Sequence, residues 1–385
     1  MTTKRRPHIA IIGAGIGGTT AAALLQKAGY RCTVFEQSSQ FLRLGAGINF
    51  APNGTRVFHA MGLGDVMRSV GIHPKIKANR TFDTGEQFFA FDNWGLLETY
   101  GSEFMAFHRA DLHDMLHSAV DPDSFEMNKR LKGIEAREDD VVLSFEDGTT
   151  VTVDAVVGAD GLRSRVREHL FGPQDPVYFG HVAYRAIVPS EAIRKVGLED
   201  YIRWWGPQER YVLIYCMNED RDVYNIVASG AEALTPDEYH PMPMSADHMR
   251  SMFTEFCDDT QLVLENCIDV IRWPMMVRPP QPGWSRGRIT LLGDAAHPMT
   301  PHLGQGGGMA VEDAAMLMRC LEAVEGEDVP EAFRLYEATR YERTAEVQIA
   351  SQENKIGRGA RDPQWLFAYD VMNVPIAGTP VSGTA

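Results

Sequence analysis

The chain has 385 residues, 44% of them hydrophobic and 23% charged, which is an ordinary enzyme-like balance and more chain than one core usually holds, so two lobes are expected. Acidic residues outnumber basic ones by 52 to 37, a formal charge of −15, with no basic cluster beyond Lys4-Arg5-Arg6; nucleic acid is excluded as an expected partner. No apolar run approaches the ~18 residues of a membrane span, no secretory signal precedes the first strand, and the scattered cysteines lack metal spacing, so a cytoplasmic protein with reduced thiols, no membrane contact and no metal site is expected.

His8-Ile-Ala-Ile-Ile12 predicts a short buried strand, and Gly13-Ala-Gly15-Ile-Gly17-Gly18 follows it directly. Thr19 to Lys27 has helical composition, Ala28-Gly29 stops it, and a second strand from Arg31 to Phe35 ends at Glu36. Each glycine has its own reason: Gly13 for the tight turn, Gly15 for backbone approach to a pyrophosphate, Gly18 for helix–strand packing. A carboxylate at the tip of the second strand suits ribose hydroxyls. The pattern predicts a dinucleotide site without deciding between NAD and FAD.

Further along, Thr150 to Val157 reads as one strand, and Gly158-Ala-Asp160-Gly161 closes it before a basic helix start in which Arg163 and Arg167 stand one turn apart, spaced to serve phosphates jointly. Alternation puts Tyr211, Leu213 and Tyr215 on one sheet face, and Val223 to Val227 predicts a neighbouring strand. The strand-like run from Arg288 to Leu292 ends at Gly293-Asp294, and a glycine-rich loop opens into a helix expected near Gly308. Such a turn suits an anionic ligand, because backbone N–H groups at a helix start are unpartnered. Pro330 to Arg343 reads as an amphipathic helix continuing to Asn354, and the tail beyond Pro375 reads as disordered.

Taken in order, Gly13-x-Gly15-x-x-Gly18 with Glu36, Asp160-Gly161 with Arg163, and Gly293-Asp294-Ala-Ala-His297-Pro298 resemble the single-component FAD-dependent aromatic hydroxylases, the class A flavoprotein monooxygenases. The resemblance spans about residues 7 to 370. Arg203-Trp204-Trp205, Met299-Thr-Pro-His302 and the stretch from Asp362 to Asp370 look most like members that hydroxylate 6-hydroxynicotinate, and next salicylate. It implies an α/β fold: a discontinuous Rossmann-like FAD-binding lobe (1–75, 101–176, 273–350), a smaller sheet-rich substrate lobe (76–100, 177–272) and a C-terminal segment (351–385).

For the cofactor, the resemblance implies Glu36 on the adenosine ribose and Arg109 beside the pyrophosphate. It puts Asp160 near both FAD and NAD(P)H, with Arg163 on the NAD(P)H side, and Asp294 at the ribityl or pyrophosphate region. Gly304, Gly306 and Gly307 present N–H groups to the pyrimidine edge, and the loop from Arg43 through Gly47 lies across the ring. Family chemistry implies reduction by NADH or NADPH and oxygen transfer from a flavin C4a-hydroperoxide to a small aromatic acid, in a monomer or homodimer. A base of near-neutral pKa is needed to take the ring hydroxyl proton; His302, Tyr215 and Tyr211 are the candidates, while His297 reads as structural. Substrate contacts fall to Asn49, Arg185, Arg203, Tyr211, Tyr215, Pro301 and His302, with the arginines available to a carboxylate. Asn49 and Tyr211 stand where the compared relatives carry histidine, which implies a related but distinct ring.

Other classes fit less of the chain. A nicotinamide-only dehydrogenase leaves Asp160-Gly161 and Gly293-Asp294 without a role. A flavin epoxidase or oxidase of another substrate, and a non-catalytic flavin-fold binding protein, remain as alternatives.

Overall fold

The computed structural model describes residues 6–41, 47–194, 200–218, 223–354 and 361–378. A parallel sheet orders its strands Ile289–Leu291, Ala155–Gly158, His8–Ile12, Arg31–Phe35 and Phe125–Glu126. Every residue of His8–Ile12 is buried, as expected of a strand covered on both faces, which is why it reads as an unbroken apolar run. Helices Ile16–Lys27 and Gly306–Ala323 pack on it within one core that also takes in Phe333 and Tyr336 of the long helix Val329–Glu353.

A second sheet has eight strands, ordered Met242–Pro243, Ile268–Val277, Val177–Pro189, Val223–Ala231, Tyr211–Cys216, Tyr201–Trp205, Ile76–Thr81 and Gln87–Asp92. It is antiparallel except where Ile76–Thr81 runs parallel to Tyr201–Trp205. One face carries Ile202, Trp204, Val212 and Ile214 into a separate core with Phe253 and Phe256. The opposite face carries Tyr201, Trp205, Tyr211, Leu213 and Tyr215, and looks toward the glycine loops of the parallel sheet. Gly47–Phe50 links the two, paired with Met105–His108.

Several expected boundaries move. Thr150 to Val157 is two strands in different sheets, Thr150–Val153 and Ala155–Gly158, because Asp154 between them turns its carboxylate to the backbone N–H of His8 (2.6 Å). The glycine-rich helix begins at Gly306 rather than Gly308. Ile376 to Gly378, in the tail expected to be disordered, packs back on the long helix through a bond from Ala377 N–H to Thr339 Oγ1 (2.9 Å); the remainder of the tail lies outside the described residues. Among the described residues, no helix is long and apolar enough to cross a membrane.

Candidate active site

The parallel strands end at Ile12, Gly158 and Leu291, and a cleft of about 340 Å³ opens beyond these carboxyl ends, the usual binding edge of an open α/β sheet. Its glycines differ in what surrounds them. A Cβ on Gly13, where φ is +101°, would stand 2.6 Å from the Ala159 carbonyl oxygen, and one on Gly18 would stand 2.0 Å from that of Gly13. Both are packed shut. A Cβ on Gly15 would meet nothing within 4 Å, so that backbone faces open space of the kind a pyrophosphate would fill.

The helix that starts beyond Gly15 has no side-chain cap and no acid in its first turn, and the helix starting at Gly306 is bare in the same way. Two uncapped N-termini therefore point positive backbone charge into one cleft. Gly304, at φ +65°, closes the turn Pro301–Leu303 and aims the chain into the second of them. Gly304, Gly306 and Gly307 all line the cleft, as do Pro301, Gly47, Asn49, Arg109, Arg185, Tyr211, Tyr215 and Asp294. Arg43 lies outside the described residues.

Glu36 is held at the strand tip by the N–H groups of Ala14 (2.9 Å) and Ser38 (2.8 Å). Asp294 opens onto the cleft although protein crowds it on every other side; burial pushes its carboxyl above the ordinary value, while His297 and Arg109 pull it down. Burial, then the charge of Arg185, lower the Arg109 guanidinium, with Asp294 opposing them.

The Asp-Gly motif departs from expectation. The Asp160 carboxylate accepts from the Ser164 hydroxyl and from the N–H groups of Arg165 (2.7 Å) and Val166 (3.2 Å), so it caps the following helix while Ala159 and Gly161 form the cleft wall. Arg167 does not share phosphates with Arg163. It is buried, with NH1 on the carbonyls of Ala295 and Ala296 (3.1 Å each) and NH2 on Gln281; Arg163 reaches outward to the Tyr239 carbonyl (3.0 Å).

What holds the Gly293 turn is a buried charge network. His297 Nε2 donates to Asp313 (2.6 Å), which also accepts from Gly293 N–H (3.0 Å) and Arg340 Nε (2.7 Å). Arg340 and Arg343 pair with Glu312 (2.6 and 2.7 Å), and Asn53 bridges Glu312 to Gln305. His297 is thus a scaffold residue. The acidic pair Glu312-Asp313 inside the otherwise apolar run Met309–Met318 was the available sequence signal for this network.

On the substrate side, Tyr215 stacks on Tyr201 (5.3 Å between centroids, 12°), and Asn49 Nδ2 donates to the Tyr201 hydroxyl (3.2 Å). Asn49 Oδ1 is buried and has no partner. Gly47 N–H donates to Asn225 Oδ1 (2.7 Å). Burial pushes the Tyr211 and Tyr215 phenols above the ordinary tyrosine value, away from the near-neutral range expected of a base. His302 is set deeper than expected. It lines a narrow recess that meets the main cleft at Gly304, meets the edge of Tyr211 (5.9 Å) and donates Nδ1–H to the Ser351 carbonyl (3.1 Å). Arg203 lies behind the cleft wall rather than in it, its guanidinium 4.9 Å from the rings of both Trp205 and Tyr211. Tyr201, Asn225 and Lys77 were not singled out from sequence, since no local motif marks them.

Residues 6–351 match the family described as FAD binding domain. The chain is 37% identical to 6-hydroxynicotinate 3-monooxygenase of Pseudomonas fluorescens, over 99% of this chain and 100% of the relative. It belongs to the FAD-dependent aromatic hydroxylases. Among solved structures, the hydroxylase is similar to Klebsiella pneumoniae HpxO complexed with FAD and uric acid (28% identity, TM-score 0.80, covering 93% and 90% of the two chains). It shares its fold with a salicylate hydroxylase substrate complex (24%, TM-score 0.83, covering 96% and 97%). FAD is the cofactor of this hydroxylase, and the residues present fit it: open backbone at Gly15, two uncapped helix starts, Glu36 at the strand tip, and Arg109 among the cleft cations.

Proposed function

We propose that this hydroxylase acts on a hydroxylated aromatic or N-heteroaromatic carboxylic acid of the 6-hydroxynicotinate or salicylate type, using NADH or NADPH and O2. The observation that carries the reading is a local reversal of charge. In a chain of net charge −15, Arg109 and Arg185 line the cleft and Arg203 backs it, against the single carboxylate Asp294 among the lining residues. FAD when bound supplies the electron transfer and O2 activation that no side chain can.

The chain's own residues bind, orient and move a proton. Arg185 and Arg203 supply cations for the acid group. Arg203 is buried with Nε and NH1 unpartnered, an arrangement that costs free energy until an anion arrives. His302, held through Nδ1 on the Ser351 carbonyl, is the group suited to take the ring hydroxyl proton. Tyr211 and Tyr215 orient the ring as neutral phenols, and Leu213 and Val227 exclude water. Asn49 Oδ1 accepts from a ring N–H or O–H, and a site built on such a polar contact rejects rings that lack it. With Asn49 and Tyr211 in place of histidines, a ring related to 6-hydroxynicotinate but distinct from it is favoured; hydroxylation at the carbon bearing the carboxylate would release CO2.

The test is NADH and NADPH oxidation by the FAD-loaded enzyme with 6-hydroxynicotinate, salicylate, 6-hydroxypicolinate and 4-hydroxybenzoate, with product mass and CO2 recorded. A hydroxylated product from at least one acid supports the reading. Oxidation that yields only hydrogen peroxide with all of them overturns it.

A further inference from the structure

Lys77 occupies a place where a lysine is costly. It sits on Ile76–Thr81, directly beside Tyr201, because that strand pairs Ala78 with Ile202 and Asn79 with Arg203. Its side chain therefore emerges on the cleft-facing side of the sheet. A lysine ordinarily extends its ammonium to water; this one lies 5.1 Å from the centre of the Tyr201 ring and 5.8 Å from that of Phe91. It lines the recess shared by His302, Phe104 and Phe367. Among the described residues no carboxylate accompanies it there. The nearest charge is of like sign: burial first, and the Arg203 cation second, hold the Lys77 ammonium well below its ordinary range.

Both cations lie near His302. Arg203 packs against Tyr211, whose ring meets the imidazole of His302 at 5.9 Å, and Lys77 lines the same recess as His302. Each lacks the anion that would repay its desolvation, and Arg203 leaves two buried nitrogens without acceptors. Structural cations in a protein interior come with carboxylates or with acceptors for their N–H groups, as Arg340 does here with Glu312 and Asp313 and Arg167 with the carbonyls of Ala295 and Ala296. An uncompensated pair beside a proton-transfer histidine is the arrangement expected of a site whose missing charge arrives with the ligand.

We propose that Lys77 is a specificity-determining residue that receives the carboxylate of the substrate in the recess beside His302, with the Arg203 cation behind the wall adding to the attraction. This rests on the aromatic-acid reading above and adds the residue that selects for the acid group. Flavin absorbance is titrated in the FAD-loaded wild type, Lys77→Met and Lys77→Arg with two ligand pairs, each an acid and its carboxyl-free ring: 6-hydroxynicotinate with 2-hydroxypyridine, and salicylate with phenol. The expected result is that wild type prefers the acid and that Lys77→Met raises the Kd of the acid about tenfold or more while leaving that of the carboxyl-free ring within about twofold. Lys77→Arg retains the preference, and the thermal midpoint of ligand-free Lys77→Met is no lower than that of wild type, because a desolvated amine without a carboxylate partner has been removed. Equal loss for both members of a pair, no loss for either, or a lowered midpoint with both ligands weakened would overturn the assignment of Lys77 and leave the aromatic-acid reading standing. If no ring perturbs the wild-type flavin, the aromatic-acid reading fails and Lys77 loses its role with it.

Discussion

The phenol of Tyr215 lies against the α-carbon of Gly47, so closely that a Cβ there would stand 2.5 Å from the hydroxyl oxygen. The large sheet and the strand Gly47–Phe50 are in van der Waals contact at this point, and only glycine allows it. Gly47→Ala is expected to cost about 1–3 kcal/mol through overpacking and to weaken FAD retention. The added substitution Tyr215→Ala should restore part of the loss, a non-additivity expected of touching residues. Thermal midpoint and released flavin are the measurements; a Gly47→Ala protein indistinguishable from wild type would refute the contact.

Arg340, fully buried between Glu312 and Asp313, fixes the turn that carries Asp294. Arg340→Met takes one cation from each of two buried carboxylates, leaving Glu312 to Arg343 and Asp313 to His297, and should destabilise by about 3–5 kcal/mol. Flavin loss should accompany the lowered midpoint, since the Gly293 amide shares Asp313 with Arg340.

The same network predicts sensitivity to acid. Burial pushes Asp313 and Glu312 up, but His297 and Arg340 hold the first, and Arg343 and Arg340 the second, below their ordinary values. Groups depressed in the folded state contribute stability that is complete above the unfolded values near ~4 and is lost as pH falls from there through the folded pKa. Denaturant midpoints measured from pH 7 to pH 3 should fall over the acid end of that range, and less steeply in Asp313→Asn.

Proton transfer divides the three candidate bases. With the tyrosine phenols raised by burial, Tyr211→Phe and Tyr215→Phe should leave the pH profile of product formation between pH 6 and 9 unchanged, with losses in rate of about tenfold at most. His302→Ala should lower the hydroxylation rate by about 10²-fold, the ordinary contribution of a general base, and abolish the acid limb of the profile. A shifted profile in either tyrosine variant with an unaltered one in His302→Ala would reverse the assignment.

Glu36 provides a cofactor test that is independent of substrate. Its carboxylate holds the amides of Ala14 and Ser38, so Glu36→Ala removes charge-assisted bonds of about 1.5–3 kcal/mol each. The variant should bind FAD at least tenfold more weakly by fluorescence titration, while Glu36→Gln should lie between it and wild type.

What could be read from sequence was what is local. Gly13, Gly15 and Gly18 with Glu36 form one strand–loop–helix–strand unit, and Gly293 to Gly307 another, so their geometry follows from neighbours in the chain. Arg167 was misread because its partners, the carbonyls of Ala295 and Ala296, come from far along the sequence. Lys77 was invisible for a similar reason: only the parallel pairing of Ile76–Thr81 with Tyr201–Trp205 puts it near Arg203. The single run seen from Thr150 to Val157 hides a change of sheet, since Asp154 serves His8 rather than its own strand. Burial, too, has no sequence signature at Tyr215, and it is burial that pushes its phenol above the ordinary value.

The bond from Gly47 N–H to Asn225 Oδ1 runs between a loop strand of one sheet system and the middle of the other. Any displacement of Gly47 from that sheet must break it and leave a buried donor unpaired, at a cost of about 1–3 kcal/mol. One amide proton therefore records how often the two sheet systems part at this point, and its hydrogen–deuterium exchange rate, with and without an aromatic acid present, would count those openings directly.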